Sequence, residues 1–231
     1  MSTANLGLPY IEAAQSQKHV THNEALRLLD AVVQLAVASR SLTAPPASPT
    51  DGERWVVPAA GATGDWTGKA NRIAARIDGA WTFLAPIAGW TAWVADEGLS
   101  LVFDGAIWGH GARSPHGAST GFVVIEEEVA VAGASTATSI AIPNRAIVLA
   151  VSTRTTQAVT GASAYDCGVS GETSKFGGSL GAAVGSTNIG VIGPTAFYAN
   201  TPVVLTAVGG NFTGGKVRVA IHMLAFTAPS D

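Results

Sequence analysis

The sequence contains little charge and a single cysteine. Asp, Glu, Lys and Arg make up 13% of its 231 residues, about half of the roughly 25% that is usual in globular domains. Cys167 has no second cysteine to pair with, so a disulfide within the chain and a cysteine-based zinc site are both excluded. The formal net charge is −3, which gives no reason to expect nucleic-acid binding.

Long apolar runs are also missing. A membrane-spanning helix needs about 18 or more consecutive apolar residues, whereas the longest runs here, 31–38 and 202–208, are much shorter. The first residues contain no basic region followed by an apolar stretch, so we predict no secretory signal. We therefore expect no membrane partner.

The sequence divides into three unlike parts. Residues 1–40 are predicted to be helical, residues 41–117 hold all six tryptophans, and residues 118–231 hold none. Within the last part, the stretch 176–215 has no charged residue. We expect a mainly β protein with an N-terminal helical segment, a small Trp-rich β meander and a C-terminal antiparallel β-sandwich that is jelly-roll-like.

One helix is predicted in the first part. Thr21 and Glu24 match a capping box with Thr21 as the N-cap, and apolar residues then recur at helical spacing. We predict a helix from about His22 to Ser39. Because its apolar stripe lies at a chain terminus, the helix needs a groove or a copy of itself to pack against. The proline-rich stretch 45–49 is predicted to follow as an extended linker.

Short hairpins are predicted in the Trp-rich part. The Asp-Gly pairs at 78–79 and 104–105 each separate two apolar runs, and Asp-Gly supplies the positive φ angles of tight hairpin turns. We expect the tryptophans to pack across these strands. The tryptophans are Trp55, Trp66, Trp81, Trp90, Trp93 and Trp108.

Eight short strands separated by Gly, Pro and Asn are predicted in the last part. In the final strand, Val217, Val219, Ile221 and Met223 face one way and the residues between them face the other. Residues 177–181 lack the Gly-Lys-Ser/Thr ending of a phosphate-binding loop and are predicted to be a flexible loop. The predicted strands are 122–131, 138–142, 146–155, 164–170, 189–192, 195–198, 203–208 and 217–225.

No group of residues forms a recognisable active site. His19 and His22 have the spacing of some metal pairs, but no third ligand of the right type lies nearby, so we interpret them as polar groups near an N-cap or in a subunit contact. Cys167 is predicted to be a buried strand residue. Asp96 and Glu97 could act as a glycosidase pair only with a second carboxylate in a cleft. We therefore expect no catalytic residue, no metal and no cofactor.

Exposed aromatic residues are the candidates for sugar contacts, because their apolar faces stack on sugar rings. Trp66 is the first candidate, since its neighbours predict a loop. Tyr198, beside Asn200 near a strand end, is the second. The alternative is that both side chains are packed in the core. Trp90 and Trp93 are three residues apart, so on a strand they point to opposite faces and one could lie at the surface.

Several motifs in the first half of the chain resemble a known family. They are residues 6–11 (Leu-Gly-Leu-Pro-Tyr-Ile), 15–26 (which contains His-Val-Thr-His-Asn-Glu), 52–57 (Gly-Glu-Arg-Trp-Val-Val), 89–90 (Gly-Trp) and 102–105 (Val-Phe-Asp-Gly). Over about residues 1–115 the chain resembles an uncharacterised-domain family that is common in alphaproteobacterial prophages and gene transfer agents. The resemblance implies a virion spike or fibre component, and in gene transfer agents a head-spike base protein. It supplies no catalytic residues.

The resemblance also implies partners and a location. The chain would be made in the bacterial cytoplasm and lie at the surface of a phage-like particle, with capsid proteins and a spike fibre protein as partners. Residues 1–40, including Tyr10, Ile11, His19 and His22, are predicted to be the attachment segment, because their composition is distinct, they end in a proline-rich linker and their helix is apolar on one side. We expect a chain without this segment to fold as a β protein that no longer joins particles.

A symmetric homo-oligomer is predicted, because weak charge and an apolar terminal helix suit an assembly in which subunits cover each other. A pentamer would match the fivefold symmetry of a capsid vertex, and a trimer is the fibre-like alternative. Such a spike either contacts host surface polysaccharide itself or carries a fibre that does. Two other functions stay open. A capsular polysaccharide depolymerase would need a paired-carboxylate cleft, and a free carbohydrate-binding lectin would not be attached to particles.

Overall fold

The structure is a computed structural model that describes residues 2–11 and 18–229, and for residues 18 and 19 it describes the backbone alone. The chain is mainly β, as predicted, and has two compact units, residues 1–117 and residues 118–231. Residues 1–40 and 41–117, which the sequence separates by composition, both lie in the first unit.

The N-terminal helix starts and ends earlier than the sequence predicted. Helix α1 spans Lys18–Val32, so the predicted range His22–Ser39 is wrong at both ends. Thr21 lies inside the helix and is not its N-cap, so the predicted capping box is wrong as well. No helix within the described residues is long and apolar enough to cross a membrane.

The segment after α1 forms a strand because its tertiary contacts override the helical pattern. Gln34 adopts a left-handed φ of 51°, which ends the helix. Strand β1 (Ala36–Val37) then pairs in parallel with a strand at Thr91–Val94. Leu35 and Val37 become buried in the core of the first unit. Burial of each contributes about 1.5–3 kcal/mol, more than the ~0.7 kcal/mol range of helix propensities among ordinary residues.

Two small sheets make up most of the first unit. After β1, its strands are β2 (Arg54–Val56), β3 (Ile73–Ile77), β4 (Ala80–Leu84), β5 (Thr91–Val94), β6 (Leu99–Phe103), β7 (Trp108–His110) and β8 (Ala112–Arg113). One sheet has the order β1-β5-β6-β7 and the other the order β2-β3-β4. The predicted turn at 78–79 joins β3 and β4, and both of its residues have positive φ. The predicted meander of short hairpins is therefore confirmed.

Three tryptophans form a cluster on the sheet β2-β3-β4. The ring centroids of Trp55, Trp66 and Trp81 lie 5.5–6.1 Å apart in tilted and edge-on contacts. Trp66 ends a short 3-10 turn, Gly64–Trp66, and is 0% exposed. The expectation that Trp66 is an exposed loop residue is therefore wrong. The turn directs its ring onto Trp55 and Trp81, where it packs at the separations that aromatic pairs favour.

The second unit is an eight-stranded sandwich. Its strands are β9 (Ser119–Ala130), β10 (Ser135–Ile142), β11 (Ile147–Thr160), β12 (Ala164–Val169), β13 (Glu172–Gly181), β14 (Thr187–Ala196), β15 (Thr201–Val208) and β16 (Gly214–Thr227). Within this unit, one sheet has the order β10-β15-β12-β13 and the other the order β14-β11-β16-β9. All neighbours are antiparallel. When these eight strands are renumbered 1 to 8 along the chain, starting at β9, the strand orders of the two sheets become 2-7-4-5 and 6-3-8-1. These are the strand orders of a jelly roll.

Two predictions for this unit, one of a loop and one of a pair of strands, are wrong. Residues 177–181, predicted to be a flexible loop, form the end of β13, where the left-handed φ of Ser179 accompanies an irregular register with β12. The predicted strands 189–192 and 195–198 are one strand, β14, which contains Pro194. Because β14 is an edge strand of its sheet, the missing N–H of proline is tolerated there.

The core of the jelly roll lies between its two sheets. Val217, Val219, Ile221 and Met223 all point into it, which confirms that these four residues of β16 face one way. Cys167 is buried in the same core, as predicted. The alternating residues of β16 point outward, so one side of this sheet forms the core and the other forms an outer surface.

Candidate functional site

The N-terminal segment is fastened to helix α1 by one buried carboxylate. Asp30 is only 4% exposed and accepts hydrogen bonds from the Thr3 hydroxyl at 2.7 Å, from the backbone and side-chain nitrogens of Asn5 at 2.9 Å, and from the Leu6 N–H. Burial by itself would raise the pKa of Asp30, but these hydrogen bonds outweigh burial and hold that pKa below its usual value. The ionised carboxylate therefore holds residues 2–6 against the helix.

The predicted attachment residues lie around the same helix. The Tyr10 ring lies 5.0 Å from the Arg27 guanidinium, in a cation–π contact. Ile11 donates its N–H to the Asn23 side chain at 3.0 Å and accepts from it at 3.1 Å. His22 lies exposed inside α1. The side chain of His19 falls outside the described residues.

Helix α1 exposes an apolar patch. Ala25, Leu28 and Leu29 are exposed, and their i, i+3 and i+4 spacing places them on one face of the helix. We call these three residues the helix patch. The sequence predicted that the apolar stripe needs a covering partner, and within the described part of this chain Leu28 and Leu29 remain open to solvent.

A cleft of about 360 Å³ lies in the first unit and brings three carboxylates together. Asp30 is held ionised by the bonds described above, and Asp51 accepts the Gly79 N–H at 2.8 Å. Asp78 lies 2.8 Å from the Arg27 guanidinium. A glycosidase acid needs a carboxyl group with a raised pKa, which is opposite to the shift at Asp30. The contacts of these carboxylates therefore hold neighbouring segments together.

Of the two neighbouring carboxylates Asp96 and Glu97, Glu97 also has a structural partner. Both oxygens of Glu97 accept hydrogen bonds from the Arg40 guanidinium, at 2.7 and 2.8 Å. These bonds lower the pKa of Glu97 even though burial acts in the opposite direction. The bidentate pair joins the segment after β1 to the turn between β5 and β6.

The single thiol is unsuited to nucleophilic chemistry. Cys167 lies in β12, and burial raises its pKa to about 12. Since the thiolate is the reactive form, the neutral buried thiol serves as a packing group. Across residues 2–11 and 18–229, no group of three or more His, Cys, Asp or Glu is placed to hold a metal ion.

The aromatic side chains of Tyr198 and Trp93 are open to solvent, and a sugar could stack on either. Tyr198 is 83% exposed in the second unit. Trp93, on β5, is 46% exposed and lines a shallow groove of about 600 Å³ with Trp90, Gln34 and Ser100. The expectation that one of Trp90 and Trp93 lies at the surface is confirmed. Trp66 is fully buried and cannot stack on a ligand.

The sequence analysis missed an apolar surface on the jelly roll. The outward side of the sheet β14-β11-β16-β9, which we call the outer face, exposes two phenylalanines and three aliphatic residues. These are Phe122, Val124, Ile189, Val191 and Phe226. The signal was hidden because apolar residues occupy both the odd and the even positions of β9 and β14, so sequence alternation does not identify which side is the core.

Comparisons with known proteins cover parts of the chain. No curated protein matches it. A solved chain from the cyanophage Pam1 capsid asymmetric unit is similar at 20% sequence identity, over 50% of this chain and 93% of that chain, with a TM-score of 0.36. Residues 22–109 match a family model described as a protein of unknown function, DUF2793. The family match therefore covers most of α1 and the Trp-rich sheets, and the jelly roll lies outside it.

Proposed function

We propose that this chain is a structural component of a phage-like particle or gene transfer agent, as a head-spike base or fibre protein. It is made in the bacterial cytoplasm and lies at the particle surface, where capsid proteins and a spike fibre protein are its partners. The observation that carries this proposal is the helix patch, which leaves two leucines open to solvent beside a terminal segment that is itself fastened in place.

A fastened terminal segment favours docking over a loose tether. Asp30 holds residues 2–6, and Asn23 holds Ile11 through two hydrogen bonds. A surface that is already ordered loses little conformational entropy when it binds. The helix patch can therefore dock as a rigid apolar surface on a capsid or spike protein.

Replacing Leu29 by glutamate tests this attachment. Because Leu29 is exposed, the fold of Leu29→Glu should be unchanged, whereas burial of the new charge against a particle protein is costly. We expect at least about tenfold less chain per purified particle, since tenfold corresponds to about 1.4 kcal/mol. The amount is measured by quantitative mass spectrometry of particles.

The matched control is Ile87→Glu, which places the same charge on another exposed aliphatic residue of the first unit. This variant should be incorporated like the natural chain. Equal incorporation of Leu29→Glu and Ile87→Glu would remove the helix patch from the proposal.

A homo-oligomer belongs to the same proposal. The weak charge of the chain and its stretch 176–215 without charged residues lower the desolvation cost of contacts between copies. A pentamer matches a capsid vertex, and a trimer is the fibre-like alternative. Light scattering of the full chain distinguishes the two.

The proposal also includes direct contact with cell-surface polysaccharide. Its support is the exposure of Tyr198 and Trp93, and stacking of a sugar on one ring contributes about 0.5–1.5 kcal/mol beyond area burial. We expect Tyr198→Ala or Trp93→Ala to reduce particle adsorption to encapsulated cells while thermal stability stays within a few degrees of the natural chain. Unchanged adsorption of both variants would assign polysaccharide contact to another protein.

The two alternatives have less support. A depolymerase would need an acid–base pair, and the carboxylates of the cleft and of Glu97 are committed to hydrogen bonds and ion pairs. A free lectin would leave the helix patch without a role. Recovery of the chain in the soluble fraction, separate from particles, would favour the lectin.

A further inference from the structure

The outer face of the jelly roll carries several exposed apolar side chains. Phe122 is 78% exposed, Ile189 73% and Val191 74%, and exposed apolar side chains grouped on one face of a sheet are informative. In the register of the sheet, Val191 is opposite Ala150, Ala150 is opposite His222, and His222 is opposite Val124. Val191 and Val124 therefore lie in one row on the outward side of the sheet, with Ala150 and His222 between them.

The size of this surface fits a protein interface. Its five exposed apolar side chains present on the order of 500 Å² together, which is the size of the largest apolar patches of monomeric proteins, and such patches are often functional. Flanking residues add to that area, and a standard interface buries about 800 Å² on each partner. The exposed apolar side chains of the outer face supply part of that area.

Polar groups on the outer face are paired in a way that permits burial. The Ser152 hydroxyl and His222 Nε2 lie 3.0 Å apart across neighbouring strands. Both side chains are half-buried, so the hydroxyl and Nε2 already have each other as partners when another protein covers the pair.

The charges of the outer face complement each other. Glu126 and Glu128 project from β9, while Arg218 on β16 and Arg154 on β11 lie towards β14. Arg218 contacts Glu128 at 3.3 Å and Glu126 at 3.6 Å, and Lys216 contacts Glu128 at 3.0 Å. A surface with anions on β9 and a cation on β11 can meet a copy of itself with opposite charges facing.

We propose that the outer face binds a second copy of this chain, with the β9 side of one copy against the β14 side of the next. This inference deepens the proposed homo-oligomer by assigning its contact surface, and it rests on that part of the proposed function. The arrangement is head-to-tail, which generates a ring when the rotation between neighbouring copies closes. It covers the apolar side chains and brings Glu126 of one copy towards Arg154 of its neighbour.

Charge insertion on the outer face tests this assignment with the full chain. Val124→Glu and Val191→Glu each place a carboxylate at an exposed position, so each variant should fold with an unchanged circular dichroism spectrum. We expect the natural chain to be oligomeric at micromolar concentration. Both variants should associate about 100-fold more weakly or be monomeric in sedimentation velocity experiments.

Ile87→Glu is the matched control and should keep the oligomer of the natural chain. A monomeric natural chain, or variants that associate as strongly as the control, would overturn the assignment. So would a stable complex of a monomeric natural chain with a different particle protein through Val124 and Val191. A double charge reversal adds a positive test: Glu126→Arg and Arg154→Glu should each weaken association, and the double variant should recover part of it.

The failure of this inference can be separated from failure of the particle proposal. Sedimentation of the purified chain reports self-association without any particle, whereas Leu29→Glu reports incorporation. An intact oligomer that is absent from particles would contradict only the particle proposal. A particle component whose association is insensitive to Val191→Glu would contradict only the outer-face assignment.

Discussion

Replacing Trp66 by alanine is expected to lower the free energy of unfolding of the first unit by about 3–5 kcal/mol, the range for removing a large buried aromatic side chain. Trp66 is fully buried against Trp55 and Trp81, so its removal leaves a cavity within the cluster. Its indole N–H has no hydrogen-bond partner among the described residues, and the loss is therefore one of packing. Urea unfolding followed by tryptophan fluorescence measures it, because every tryptophan lies in the first unit.

Trp93→Ala is the matched control for this prediction. It removes the same side chain from the same unit at a half-exposed position, so the cost should be about 1 kcal/mol or less. If Trp66→Ala were no more destabilising than Trp93→Ala, the burial of Trp66 and the cluster itself would be wrong.

Deleting residues 1–40 is expected to abolish cooperative unfolding of the first unit. Residues 35–39 link the two sheets of that unit. The carbonyl oxygens of Leu35 and Val37 accept hydrogen bonds from the N–H groups of Trp93 and Ala95, and Ala38 and Ser39 bond to β2. Leu35 and Val37 are also buried in the core. Loss of both side chains removes about 3–6 kcal/mol of apolar burial, comparable to the stability of a small domain. The segment is therefore structural, which contradicts the expectation that it can be removed without unfolding residues 41–117.

A shorter deletion separates attachment from folding. A chain without residues 1–11 keeps α1 and β1, and we expect it to retain a cooperative fluorescence transition. The deletion of residues 1–40 should show no such transition, while circular dichroism still reports the folded jelly roll with its separate core. A cooperative fluorescence transition in the longer deletion would contradict the role of Leu35 and Val37.

Local chemistry explains which parts of the fold could be predicted. The turn at Asp78 and Gly79 was predictable because Asp-Gly tolerates the positive φ values found there. The orientation of β16 was predictable because Val217, Val219 and Ile221 alternate with less apolar residues. At both positions the local residue pattern favours a single backbone structure, so the sequence alone predicts it.

Other parts depend on contacts that the sequence does not display. Ala36 and Val37 continue a helical pattern, yet pairing with β5 makes them a strand. Glycines at 177–181 suggest a loop, yet that segment pairs with β12. Trp66 has loop-forming neighbours but finds its partners at Trp55 and Trp81. Each error came from a long-range contact that outweighs local preference.

The candidate surfaces were predictable to different degrees. The apolar stripe of α1 could be predicted from the helical spacing of Leu28 and Leu29, but only the structure shows that these two leucines are exposed. The outer face was not predictable, because Val123 and Val124 are equally apolar and only the sheet topology shows that Val124 points outward. Exposure of Tyr198 was foreseen as one of two alternatives and is the one observed.

The central claim, that this chain is a structural part of a phage-like particle, is tested most directly by examining particles purified from cells with and without its gene. Mass spectrometry and cryo-electron microscopy of the two preparations should be compared. The account predicts that the chain is present in the natural particles at a fixed number of copies and that a surface projection disappears when the gene is removed. Natural particles that lack the chain, and that are unchanged by loss of its gene, would contradict the account.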